Sequence, residues 1–216
     1  MLSSSGAPSE PSSSSSSSSA TDRPSPPQPP TTLPYYALFP ETLPLGPPPS
    51  GPFAIDVRAL RREFLRLQAG AHPDFHHAAG QEAARRAAEG ASARINAAFK
   101  TLSSPLLRAQ YLLREQHGVD LEGDEAGSQA VAEPELLMTV LEAREAIEEA
   151  QREADLDEVR AANEERIREA EEALARAFAE ADVEGAKAEA VRLRYWVNIR
   201  EGVDNWERGK PVVLQH

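Results

Sequence analysis

The sequence predicts an all-α protein. Apolar residues recur at helical spacing from Asp56 onward, and no segment alternates with period two over any length. From Pro134 the chain is dominated by Glu, Ala, Arg and Leu, all strong helix formers. Its 216 residues suffice for one large or two small domains.

Residues 1–33 are Ser/Pro-rich, include the run Ser12 to Ser19, and lack the apolar side chains that offset chain entropy, so they are predicted to form a disordered tail. The tail has no apolar stretch of the kind a secretory signal needs. Its Ser-rich, acid-poor composition fits a mitochondrial presequence, whereas its single cation, Arg23, does not. A targeting segment and a nonspecific tail both remain open. Tyr35, Tyr36, Leu38 and Phe39 form an apolar knot of a helical turn or two. A proline-rich connector runs from Pro40 to Pro52.

Asp56 is placed to cap a helix ending near Ala71, with Val57, Leu60, Phe64, Leu67 and Ala71 on one face. Arg58, Arg62 and Arg66 line the opposite face. His72 precedes Pro73, which disfavours helical geometry at His72 and ends the helix there. The loop His72-Pro73-Asp74 leads through Phe75-His76-His77 to Gly80. A second helix spans Gln81 to Leu102, with the stripe Ala84, Ala88, Ala91, Ile95, Ala98, Phe99 and Leu102. Ser104-Pro105 reads as a cap followed by proline at the first helical position, opening a short helix with Leu106, Leu107, Tyr111, Leu112 and Leu113 apolar. Gly118 ends it. Residues 118–132 are polar and Gly-bearing, a linker. Breaks near Glu153–Asp155 and Asp182–Gly185 divide the remainder into three helices of about 18–27 residues, an antiparallel bundle by the logic of short connections. The last runs from Glu184 to about Ile199 and gives way to Gly202 and a tail around Trp206.

Charge divides the same way. The whole chain carries −12, yet residues 53–111 are net basic and residues 120–216 strongly acidic. Two modules with different partners are indicated. The acidic total makes the chain a poor general binder of nucleic acid. There is no cysteine, hence no disulfide, thiolate nucleophile or cysteine-held metal centre within the chain. No apolar run reaches the roughly 18–20 residues of a membrane span, which predicts a soluble protein. No glycine-rich phosphate loop or serine nucleophile elbow is present. His72, Asp74, His76 and His77 offer no His-x-x-x-His on a helix, and no further ligand cluster follows, since His117 and His216 are isolated; the glutamate pairs are explained by pairing with arginine one helical turn away.

Two helices carry more apolar surface than a bundle needs. In the helix opening at Pro134, Leu136, Val140, Ala143 and Ile147 fall within about 60° of one another and form the core face. Leu137 and Leu141 lie some 100–140° away, with Met138 further round and Glu142, Glu145 and Glu149 flanking. A wide buried arc accounts for this pattern, and so does an exposed apolar patch rimmed by carboxylates. In the last helix, Ala186, Ala190, Leu193 and Val197 make the core stripe, Trp196 lies nearer its edge, and Tyr195 projects about 180° from its centre. If the first and third bundle helices pack side by side, Leu137, Leu141 and Tyr195 join in one patch. On the basic side, the face of Arg58, Arg62 and Arg66 ends at a rigid proline turn bearing one imidazole and one carboxylate, a constellation suited to docking on an acidic protein surface.

The run Phe64-Leu65-Arg66-Leu67-Gln68, then His72-Pro73-Asp74, then Arg94-Ile95-Asn96-Ala97-Ala98-Phe99-Lys100-Thr101-Leu102, resembles a J-domain. The opening Tyr35-Tyr36-Ala37-Leu38-Phe39, the block Pro105 to Leu113, Pro134-Glu135-Leu136-Leu137-Met138 and Leu193-Arg194-Tyr195 narrow the resemblance to the HscB-like iron–sulfur-cluster J-protein co-chaperones, over roughly residues 34–207. The resemblance implies an L-shaped, non-enzymatic protein with a J-domain over residues 34–117 and a C-terminal three-helix scaffold-binding domain over residues 133–216. It implies that His72, Pro73 and Asp74, with Arg58, Arg62 and Arg66, engage a seventy-kilodalton heat-shock chaperone and stimulate its ATPase. It further implies that Leu137, Met138, Leu141, Glu142, Glu145 and Tyr195 bind the scaffold protein on which clusters are built. No cofactor on this chain and a mitochondrial-matrix location are expected with it. Phe75 stands where the family usually has a cation. A coiled-coil adaptor, a J-protein with another client and a metal-dependent hydrolase are the competing readings.

Overall fold

The computed structural model describes residues 33–71, 82–121 and 133–207, and every regular element among them is helical. The expected tail (1–33, save Leu33), the greater part of the expected linker (118–132), the expected loop from His72 to Gly80 with Gln81 after it, and residues 208–216 lie outside the described residues. The N-terminal half comprises α1 (Pro34–Ala37), α2 (Val57–Gly70), α3 (Glu82–Ser103) and α4 (Pro105–His117). The C-terminal half comprises α5 (Pro134–Glu149), a 3-10 turn (Glu153–Leu156), α6 (Asp157–Ala179) and α7 (Val183–Asp204).

Local chemistry sets the boundaries. The Asp56 carboxylate accepts hydrogen bonds from the Arg58 and Ala59 amides at 2.9 and 3.1 Å and starts α2. Those amides hold its carboxyl below the usual carboxylate range. Ser104 caps α4 through the Leu107 amide, and Pro105 takes the position where a missing N–H costs nothing. Gly118 stops α4 at φ +68°, a left-handed conformation that glycine adopts without steric penalty. Asp182 caps α7 through the Gly185 amide.

In the hairpin, Phe64 stacks on Phe99 with ring centroids 4.3 Å apart. Nearer the end at which α2 leads on toward α3, Gln68 donates to the Ser92 carbonyl and the Asn96 side-chain oxygen and accepts from the Ser92 hydroxyl. Leu60, Ala88, Ile95, Ala98 and Leu102 are buried as the spacing requires. Ala84 of that stripe lies outside the described side chains. Val57 does not join the core. It is 43 % exposed, because the first turn of α2 is held by its cap rather than by a neighbouring helix.

The three bundle helices have 16, 23 and 22 residues. The first is shorter than expected because the backbone turns extended at Ala150 and the chain passes through the 3-10 turn, whose Asp155 accepts from the Gln151 and Arg152 amides. The last is longer than expected. It continues through Gly202 to Asp204, and Ile199, Gly202 and Val203 are all buried, so packing outweighs the weak helix propensity of glycine. This helix is the centre of the molecule: α4, α5 and α6 all pack on it. Its buried arc accordingly widens beyond the predicted stripe to Val191, Trp196 and Ile199, while Val197 of that stripe is only half-buried. Asn163 on α6 donates to the Trp196 carbonyl at 2.8 Å, a buried tie between α6 and α7.

The connector between α1 and α2 is part of the core. Leu43, Pro47, Pro48, Gly51 and Phe53 are buried. A Cβ on Gly51 would stand 2.1 Å from the Gly46 carbonyl oxygen, so the fold of this strap admits only glycine there. The buried Glu63 carboxylate on α2 accepts from the Glu41 and Thr42 amides at 3.0 and 2.8 Å. Phe53 stacks on Phe178 of α6 at 5.1 Å, and the Arg108 guanidinium of α4 lies 4.6 Å above the Phe53 ring. Arg108 also donates to the Leu102 carbonyl at 2.7 Å. Burial pushes its guanidinium below the ordinary value, opposed by Tyr36 and Glu171. One apolar core thus runs from the hairpin into the bundle.

Candidate docking surfaces

The first candidate surface is the outer side of α2. Arg58, Arg62 and Arg66 are exposed there, as the spacing requires, and Arg66 forms an ion pair with Glu41 of the strap. Among the described residues Arg58, Arg61 and Arg62 make no ion pair, although the Asp56 carboxylate feels the charges of Arg58 and Arg62. His72, Pro73 and Asp74 lie outside the described residues, as do Phe75, His76 and His77. In sequence they begin directly after Ala71, the C-cap of α2. No group of three or more potential metal ligands occurs among the described residues. No helix among them is long and apolar enough to cross a membrane.

The second candidate surface is on α5. Leu136, Val140, Ala143 and Ile147 are buried, and they are the four residues assigned to the core face from sequence. Met138 and Leu141 are each 57 % exposed, and Glu142 and Glu145 beside them are exposed too. Leu137 and Tyr195 are half-buried and pack against the core. α5 and α7 pack together, the arrangement on which a shared patch depends. Glu133, just before α5, receives two hydrogen bonds from Arg192 of α7 at 2.9 and 3.1 Å, and this pairing holds the Arg192 guanidinium above its ordinary value. The pair fixes the register of α5 along α7.

Two residues escaped the sequence reading. Arg144 lies about 20° from Leu137 around α5, and its Nε is shielded without a hydrogen-bond partner among the described residues. Leu65 is 56 % exposed on the arginine-bearing face of α2. Helical projection carries a signal for both, since each departs from the chemistry of its neighbours. The opposite flank of α5 borders a cleft of about 490 Å³ against α6 and α7, lined by charges of both signs.

The family described as the HSCB C-terminal oligomerisation domain matches residues 132–204. The chain is 30 % identical over 186 residues to the mitochondrial J-type co-chaperone JAC1 of Saccharomyces cerevisiae, covering 86 % of this chain and 95 % of the relative. It is 32 % identical over 151 residues to the iron-sulfur cluster co-chaperone protein HscB of Mus musculus, covering 70 % of this chain and 62 % of the relative. Among solved structures, yeast Jac1 superimposes with a TM-score of 0.64 at 29 % identity, covering 82 % of this chain and 98 % of that one. Human HscB superimposes with a TM-score of 0.67 at 27 % identity, covering 82 % and 83 %.

Proposed function

The chain belongs to the HscB/Jac1 family of J-type co-chaperones, and from that membership we propose that it couples an iron–sulfur cluster scaffold protein to the ATPase of a seventy-kilodalton heat-shock chaperone. In this reading residues 34–117 form the J-domain and residues 133–216 the scaffold-binding domain, joined by the linker at 118–132. His72, Pro73 and Asp74 trigger hydrolysis in the chaperone, and Arg58, Arg62 and Arg66 draw its acidic surface in. Leu137, Met138, Leu141 and Tyr195 seat the scaffold, with Glu142 and Glu145 as the polar rim. Hydrolysis then locks the chaperone onto the delivered scaffold. The protein does no covalent chemistry of its own. By similarity to the mitochondrial Jac1 proteins it works in the mitochondrion, and we place it in the matrix.

The observation that carries the reading is the exposure of Met138 and Leu141 in a helix whose own core face is already complete. Folding gains nothing from leaving two large apolar side chains in water; a partner that covers them does. The testing experiment measures chaperone ATPase rate against concentration of the full-length protein, with and without scaffold. Wild type is expected to stimulate, and Asp74→Ala to bind scaffold normally yet stimulate nothing. Equal stimulation by both proteins sinks the proposal.

A further inference from the structure

Leu65 lies outside the apolar core and the side chains packed against it. Leu60, Phe64 and Leu67 supply the inward side of α2, with Phe64 stacked on Phe99. Leu65 points away from them and is 56 % exposed. At 100° per residue, Arg61, Leu65, Arg58, Ala69 and Arg62 follow one another within an arc of about 100°, and all five are exposed. No acid interrupts that arc. The sole carboxylate in α2, Glu63, is buried and turned to the Glu41 and Thr42 amides of the strap. Arg66 lies outside the arc, against Glu41. The arginines near the start of α3 differ, since Arg85 pairs with Glu89 and Arg86 with Glu82 on their own helix. The α3 pattern is that of a solvated, self-neutralised helix face. The α2 pattern is a cationic ring around an exposed leucine, with no ion pair of Arg58, Arg61 or Arg62 among the described residues and the Asp56 cap at its N-terminal edge.

We propose that Leu65 is the apolar anchor of the α2 docking face. It seats in an apolar recess of the acidic chaperone surface, and Arg58, Arg61 and Arg62 pair with carboxylates around that recess. The inference rests on the co-chaperone reading given above. Exposed ion pairs alone contribute little, because water and salt screen them. A leucine sealed at their centre removes water from the ring, adds apolar burial, and strengthens each pair around it. Leu65 therefore sets how tightly the chaperone is held, while His72-Pro73-Asp74 sets how fast the held chaperone hydrolyses ATP.

The test titrates full-length protein into its seventy-kilodalton chaperone and reads half-saturating concentration and maximal ATPase rate separately. For Leu65→Ala the half-saturating concentration is expected to rise about tenfold, with the maximal rate unchanged. Its salt dependence stays that of wild type, whereas Arg61→Ala flattens it. Arg85→Ala, on the self-neutralised face, moves neither quantity. A half-saturating concentration for Leu65→Ala within about twofold of wild type overturns the proposal. So does a lowered maximum with unmoved half-saturation, which would make Leu65 a support of the loop rather than an anchor. If Leu65→Ala loses helicity, Leu65→Gln is read in its place by the same criteria. Wild type that fails to stimulate at any concentration defeats the co-chaperone reading itself. Leu65-dependent sedimentation with cardiolipin-containing vesicles, without any shift in the chaperone titration, assigns the face to a membrane and also overturns the proposal.

Discussion

On α2 an exposed leucine is ringed by arginines, whereas on α5 the exposed Met138 and Leu141 are flanked by glutamates. Both helices have completed their core faces, so the surplus in each is a surface property. The sign of the rim sorts partners before contact: an acidic protein is drawn to α2 and repelled by the carboxylates of α5. The balance of forces differs as well. The α5 patch offers several large apolar side chains and should bind mainly by excluding water. The α2 face offers one, so charge should dominate its encounter rate and salt should weaken it.

The largest effect expected from breaking this division is at the α2 end. Asp74→Ala should abolish ATPase stimulation while leaving scaffold binding intact in a pulldown with the full-length protein, and loss of both functions at once would show that the surfaces are not separable. Next comes the junction that holds them in one frame. Phe53→Ala removes the stack on Phe178 and the ring beneath Arg108, and should cost about 3–5 kcal/mol in denaturant unfolding. A cost below about 1 kcal/mol would mean the strap contributes little to the shared core. Third, Met138→Ala with Leu141→Ala should weaken scaffold binding by about 2 kcal/mol per anchor with no change in melting temperature. Adding Leu137→Ala and Tyr195→Ala should weaken binding further and also lower stability, because those two side chains are half seated in the core. A double variant that melts early would return Met138 and Leu141 to the core. The smallest effect is at the cap of α2. The native Asp56 carboxyl titrates below the unfolded value of about 3.9, so its contribution is present above that pH and is lost as pH falls through the depressed native value. The melting temperatures of wild type and Asp56→Ala should therefore differ at neutral pH and converge in strong acid; a constant gap would refute the capping role.

Much of this was legible from residue order. Asp56, Ser104, Gly118 and Asp182 each act within a few residues of themselves, and each marks a helix end in the structure. Leu136, Val140, Ala143 and Ile147 repeat at the helical period, and all four are buried. The same period set Met138 and Leu141 off that face, but a wide buried arc fitted them equally well, and the packing around α5 decided that they are exposed. Leu137 and Tyr195 were harder. Their depth depends on how closely α7 is surrounded, and α7 has three helical neighbours rather than the two of a simple bundle. The buried strap carried a misleading signal, because proline-rich composition reads as a connector whether or not a neighbouring surface covers it.

The sequence by itself determined where the helices lie, their caps, most of their core stripes and the opposite charges of the two halves, because those depend on interactions a few residues long. Tertiary structure alone decided that Phe53 meets Phe178, that Arg108 lies over Phe53, that Glu63 is spent on the strap amides, and that Gly202 stays inside a helix. Each of these joins groups far apart in the chain or depends on packing from several elements. Whether a polar group or a glycine is tolerated there is settled by the partner that arrives, which no local pattern encodes.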